Sequence, residues 1–379
     1  MVHRLTDHYA SAIAPLMVWL DSAKNGYRRL VIPLAEKHPL LRLAILAISA
    51  AHMPHDPDPD LDPTFSQSAG QAAIRMITER VRHMTHTESI WEDREAEAML
   101  AAMLTLSNHS LLGSELSLAQ SHRQAARILI NTVTLKRAPD DELTVFLENQ
   151  LASYDILACT TLFNLEHVQH ATVPRPDRGD VLFGDFLNTL HRITIGSLQE
   201  LAGGPHSATP RSRPSLSDLE QDFELARGST LLTAGPMIGA SSRSVRQDFV
   251  RLVQTYHYAG VLYACKRLNL SDGDSDEVEK HHAARLFQVL NQFEDINASL
   301  HNLAWPIFIA GICSCGDKQQ EQKRMATVSD LCRMLSTSTG FEHYNNLFTF
   351  LQELWHSPGQ DWSVLARQWE RRGLPVIAV

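Results

Sequence analysis

Apolar residues return at helical spacing along almost the whole of this chain, and no stretch shows the strict alternation of a half-buried strand. Leu5, Tyr9, Ile13 and Leu16 share one helical face, as do Tyr27, Leu30, Val31 and Leu34. The His38-Pro39 step interrupts the pattern, because a residue before proline is pushed out of the helical region. Proline itself can open the next helix, where its missing N–H costs nothing. That helix, running to about His52, carries Leu40, Leu43, Ile45, Leu46 and Ile48 and is expected to be nearly buried. Further helices are predicted over about 66–84, 93–112, 117–136, 141–166 and 181–201, then from a capping box at Ser217-x-x-Glu220. The rest fall at about 244–270, 277–303, 306–314, 317–336, 341–356 and 362–372. The expected fold is all-α: a large multi-helix bundle of about a dozen or more helices, without significant sheet.

Punctuation divides the chain. Met53–Thr64 is rich in proline and aspartate, and Thr172–Asp180 holds Pro174 and Pro176. The stretch 203–216 (GGPHSATPRSRPSL) has the strongest linker composition. The expected organisation is an N-terminal helical half, 1–202, a linker at 203–216, and a C-terminal half, 217–379, packed with the first as one domain. Gly235–Gly239 is expected as a turn-rich loop, without the strand–helix setting of a phosphate-binding motif.

Charge and cysteine usage exclude several roles. With 43 acidic and 34 basic side chains the formal net charge is -9, and no run of Lys and Arg is dense enough to follow a phosphate backbone. Leu40–Ala51 and Trp305–Ile312 are too short or too interrupted to span a bilayer. The N-terminus lacks the apolar region of a signal peptide. The 5 cysteines are dispersed, which fits reduced, buried thiols.

Four blocks in order carry a resemblance. Asn25–Met53 (NGYRRLVIPLAEKHPLLRLAILAISAAHM) follows a tyrosine-bearing opening helix, LTDHYASAIAPLM. Phe146–Phe163 (FLENQLASYDILACTTLF) contains the triplet Tyr154-Asp155-Ile156. Asn302–Gly311 (NLAWPIFIAG) and Leu351–Leu365 (LQELWHSPGQDWSVL) complete the set. In this order the blocks resemble the fungal-specific transcription factor domain, the regulatory domain found beside zinc binuclear cluster DNA-binding segments. Gly26 stands where many relatives carry proline. The six-cysteine DNA reader of that family has no counterpart in this chain, so the resemblance brings no direct DNA binding with it. Either that segment was cut off or the protein never had one.

Candidate chemistry is sparse. Cys313 and Cys315, two apart, would point to different sides of a helix, and His167 with His170 lacks further ligands, so no metal is expected. His281-His282, near Glu277 and Glu279, is expected on a solvated face. Asp155 lies on an apolar helix, and a buried carboxylate must be paired or protonated. A structural partner is favoured for it. If the chain is an enzyme, Asp155 and His191 are the groups to act as acid or base. Three aromatic stripes, Phe183, Phe186 and Leu190, then Tyr256 and Tyr263, then Trp305 and Phe308, are expected to be core or to line a ligand cavity.

The resemblance implies a regulatory or effector domain of a fungal transcription regulator, in the nucleus, sensing a hydrophobic small molecule such as a sterol and tied to secondary metabolism. Its partners would be that ligand and a second chain, either another copy or a full-length relative, with no membrane and no cofactor. The alternative is a homologue without the DNA reader, working in the cytoplasm as a cofactor-independent cyclase or isomerase of natural products in an apolar helical pocket.

Overall fold

The computed structural model describes residues 1–53, 62, 64–86, 94–134, 141–174, 181–203, 214–239, 241–270, 273–314, 318–357, 359 and 361–379. Among these every regular element is helical, and the fold is all-α. By compactness the chain divides into two units: Met1–Leu151 with Gly340–His343, and Ala152–Thr339 with Tyr344–Val379. The expected linker falls mostly on 204–213, outside the described residues, as do 54–61 of the proline–aspartate loop and 175–180 of the Thr172–Asp180 segment.

The first unit opens with α1 (Val2–His8), which tightens through π-helical and 3-10 turns at Tyr9–Ile13 and Ala14–Met17. A second π-helical turn, Tyr27–Val31, leads into α2 (Ile32–Lys37) and α3 (Pro39–His52). These turns break the regular i to i−4 ladder, and side chains take up the freed groups. Arg28 Nε donates to Ala10 O at 2.7 Å, while its fork holds Asp21 at 2.7 and 2.8 Å. Asn25 Nδ2 donates to Ala14 O at 3.1 Å, and Asn25 Oδ1 accepts from Tyr27 N at 2.9 Å. Helix α3 packs against α4 (Phe65–His86) and α5 (Glu95–Leu112), and α5 against α6 (Leu116–Thr134). Helix α5 is buried nearly all round, as its run of Ala, Met and Leu requires.

Gly26 shows how tight this unit is. A Cβ built there would lie 2.6 Å from the Phe146 ring, which itself meets Tyr27 edge-on at 5.0 Å. Gly26→Ala is expected to cost about 1–3 kcal/mol, as over-packing does. Shortening the neighbour, Phe146→Leu, should recover part of that loss in a denaturant-unfolding cycle. Equal stability of Gly26→Ala and the parent would show that the ring yields freely.

Half-buried imidazoles should make the unit sensitive to acid. His122, near His109 and Arg123, has its pKa pushed down to about 4, chiefly by burial. The unfolded chain protonates near 6.5, so His122 stabilises the fold above that pH. That contribution is lost as pH falls from about 6.5 towards 4. Denaturant unfolding across this window should show stability falling with pH, with a shallower slope in His122→Gln. Identical slopes would place the sensitivity elsewhere.

The boundary between units falls inside α7 (Glu142–Cys159). The second unit continues with α8 (Leu165–Gln169), α9 (Gly184–Gly203), α10 (Leu216–Ile238), α11 (Arg243–Leu268) and α12 (Gly273–Leu290). Then come α13 (Ile296–Ser299), a 3-10 turn Leu300–Leu303, α14 (Ala304–Ile312), α15 (Lys318–Thr339), α16 (His343–Trp355) and α17 (Trp362–Arg371). Helix α11 is the centre, packed by α9, α10, α12 and α14. The Phe223 ring of α10 fills the notch at Gly260, where a Cβ would come within 2.5 Å.

Four expected boundaries need correction. The helix predicted over 141–166 stops at Cys159, because the Thr160 and Thr161 hydroxyls turn back onto Leu157 O and Ala158 O and compete with the helix ladder. The helix predicted over 277–303 breaks after Leu290, where Asp248 of α11 captures Glu294 N at 2.9 Å and Asp295 N at 2.8 Å. The capping box is Ser215 with Asp218 rather than Ser217 with Glu220. The expected loop Gly235–Gly239 is helical as far as Ile238, the last residue of α10, with Pro236 inside the helix, where it offers no N–H to the carbonyl of Leu232.

Candidate functional site

A dense set of buried polar contacts in the second unit surrounds the end of α7. A helix end leaves carbonyls without intrahelical donors, and these must be met when buried. Thr160 O accepts from Tyr263 Oη and from Arg267 Nη1, both at 3.3 Å, and Leu162 O accepts from Arg267 Nη2 at 2.6 Å. Arg267 Nε donates to Ser197 Oγ of α9 at 2.8 Å. The guanidinium lies 4.0 Å over the Phe163 ring and 5.8 Å from that of Trp362. Burial pulls its pKa below the ordinary arginine value, opposed by Tyr263 and Glu370. Glu370 in turn accepts from Phe163 N at 3.1 Å, and burial raises its own pKa. A cation at a helix C-terminus also meets the negative end of the helix dipole.

Thr160 ties this cap to the aromatic residues. Its Oγ1 accepts from Trp305 Nε1 at 3.0 Å. Trp305 stacks on Tyr256 with ring centres 5.5 Å apart and meets Tyr263 edge-on at 5.8 Å. Tyr263 Oη also lies 2.7 Å from Thr194 Oγ1 of α9. Phe183 sits 4.8 Å from Tyr256 and 5.6 Å from Phe186, which continues to Phe223 at 6.1 Å. Phe183 takes a left-handed backbone (φ 61), rare for a bulky residue, at the entry to α9. Tyr256 Oη donates to Asn302 O at 3.0 Å, and burial holds its pKa well above the usual phenol value.

Phe183, Phe186, Tyr256, Tyr263 and Trp305 are thus brought into one ring-to-ring cluster. Leu190 is fully buried one turn beyond Phe186. Phe308 goes elsewhere, to Phe350 and Trp362, each at 5.9 Å. Asp155 is 1% exposed, and its Oδ2 accepts from Thr172 N at 3.1 Å, capping the turn after α8. Burial lowers the pKa of His191, and the nearby Asp155 charge pulls it back up.

His282 departs from the expected solvated face: it is buried, with Nε2 2.8 Å from Glu220 Oε1 of α10, because its helix turns that side inward. Burial lowers its pKa, and Glu220 raises it again. Cys313 is buried, and Cys315 lies outside the described residues. Among the described residues no group of three His, Cys, Asp or Glu side chains is arranged to hold a metal, and no helix is long and apolar enough to cross a membrane.

Thr160, Thr194 and Arg267 escaped the sequence reading. The one signal was Arg267 itself, which with Lys266 is a charge in the otherwise apolar stretch from Ala259 to Leu268.

The sequence matches the fungal specific transcription factor domain over residues 4–370. The chain belongs to that family. No curated protein and no solved structure matches it. For this fungal specific transcription factor domain, the match takes in both units and every residue of the Thr160–Arg267 cap.

Proposed function

We propose that this chain is the regulatory domain of a fungal transcription regulator, acting in the nucleus and responding to a hydrophobic small molecule. Membership of the family over residues 4–370 carries the regulatory role. The aromatic cluster from Phe183 to Trp305 supports the ligand class, since rings with a few buried hydroxyls suit an apolar molecule with a polar tip. The rings touch one another, so a ligand would enter by parting α9, α11 and α14. It would act by favouring the parted arrangement over the closed one.

The test is a fusion of the whole chain to an unrelated DNA-reading domain above a reporter gene. Transcription that changes relative to the reader alone, and shifts again with lipid extract of the source organism, is the expected result. A fusion that leaves transcription untouched would overturn the regulatory role. A response indifferent to extract would overturn the ligand only.

The nearness of Asp155 and His191 favours a second reading, an enzyme of cyclase or isomerase type built on the same domain. Turnover of a polyene or polyketide substrate that disappears in Asp155→Asn at unchanged thermal stability would support it. Loss of stability without any turnover in the parent would leave Asp155 as a structural cap.

A further inference from the structure

Among the described residues, none covers the outer face of helix α10 around Leu225 and Leu232. Leu225 is 64% exposed and Leu232 is 80% exposed, the highest value for a large apolar side chain among the described residues. They are seven residues apart and so fall on one side of the helix. Gly228 and Gly235, also seven apart, lie beside them, and a Cβ at either would meet no atom within 4 Å. Glycine inside a helix is destabilising relative to alanine, and no described residue crowds either of these two places. What these positions do offer is close approach of another helix.

The spacing selects the occupant. When a second α10 runs antiparallel, with the two-fold axis at the level of Thr230, Leu225 lies opposite Gly235 of the second copy and Leu232 opposite Gly228. The same contacts repeat in reverse, so each leucine fills a glycine notch. An isologous interface requires this self-complementarity, because the same patch must serve on both sides.

The charges agree. The first turn of α10 carries exposed Asp218, and exposed Arg243 and Arg246 follow its end, while Asp222 is paired with Arg192 of α9. Arg246 Nη1 donates to Ser241 O and Gly239 O, which holds its positive charge at the helix C-terminus. Antiparallel pairing sets each acidic start against the other copy's basic end, and opposes the two helix dipoles. A parallel pair would set like charges together.

We propose that α10 is a homodimerisation helix, pairing antiparallel with α10 of a second copy through Leu225, Gly228, Leu232 and Gly235. The experiment is light scattering and sedimentation of the purified full chain over a range of concentrations. A dimer that dissociates on dilution is expected, together with a monomeric Leu232→Glu variant whose circular dichroism and thermal unfolding match the parent. Raised salt should weaken the dimer, as should Arg243→Glu with Arg246→Glu.

Orientation is read by cross-linking with copper phenanthroline. Leu225→Cys combined with Gly235→Cys should form an intermolecular disulfide, and Leu225→Cys alone should not. Equivalent Leu225 positions would be about 15 Å apart along the axis at 1.5 Å per residue. A chain that is monomeric at every concentration would overturn the proposal. So would a dimer that survives Leu232→Glu, or one in which Leu225→Cys cross-links alone.

Discussion

Arg267→Met should be the most damaging conservative-volume change in the second unit, costing about 3–5 kcal/mol, the scale for removing one partner of a buried charged cluster. Its guanidinium supplies donors to Thr160 O and Leu162 O and holds Ser197 Oγ, all in a region where water cannot replace it. Each abandoned carbonyl carries about 1–3 kcal/mol of desolvation penalty, which accounts for the size of the expected effect. Arg267→Lys keeps the charge but not the fork, so it can serve one carbonyl at a time and should recover only part of the loss. Denaturant unfolding of the three proteins checks this order. Parent-like stability in Arg267→Met would mean that the end of α7 finds other donors.

Trp305→Ala comes next, at about 3–5 kcal/mol, as expected for deleting a buried indole. The side chain is fully buried, stacks on Tyr256 and donates to Thr160 Oγ1. Trp305 and Arg267 both end on Thr160, so their effects should not add. A double-mutant cycle should return a coupling of about 0.5–3 kcal/mol. Additivity within error would show that the aromatic cluster and the helix cap are independent. The variant also bears on ligand binding: a residue that merely lines a cavity could be truncated with little loss of stability, whereas a ring that closes the core cannot.

Helical periodicity was enough to place most of the elements, because each face had to be buried against something and the apolar residues recorded which face. α3 begins at Pro39 and ends at His52, as the proline and the apolar run require. The failures share a cause. α7 ends early because two threonines offer the backbone a local alternative, and 291–295 breaks because Asp248, more than forty residues earlier, holds two amide groups. Neither competition has a period, so a pattern search passes over both.

The candidate site divides the same way. The aromatic residues were visible as stripes, but only folding showed that Phe308 faces Phe350 and Trp362 instead of Tyr256. Arg267 passed unnoticed in the sequence, because its partners Ser197, Thr160 and Leu162 come from other elements. His282 looked solvated beside charged neighbours, and burial against Glu220 depends on how α10 and α12 rotate about their axes.

The four residues Gly340–His343 belong with the first unit although the chain on either side belongs to the second. Phe341 sets its ring 6.5 Å from His52, and Glu342 N donates to Leu112 O at 3.2 Å. Neither unit is therefore a continuous length of polypeptide. A fragment ending near Leu151 would lose that short return, and one starting near Ala152 would carry it without its setting. Mapping regulatory activity by progressive deletion would then report damaged folding at nearly every endpoint. Substitutions at single positions, Arg267, Trp305 and Leu232 among them, keep the connectivity and can separate stability, core closure and self-association.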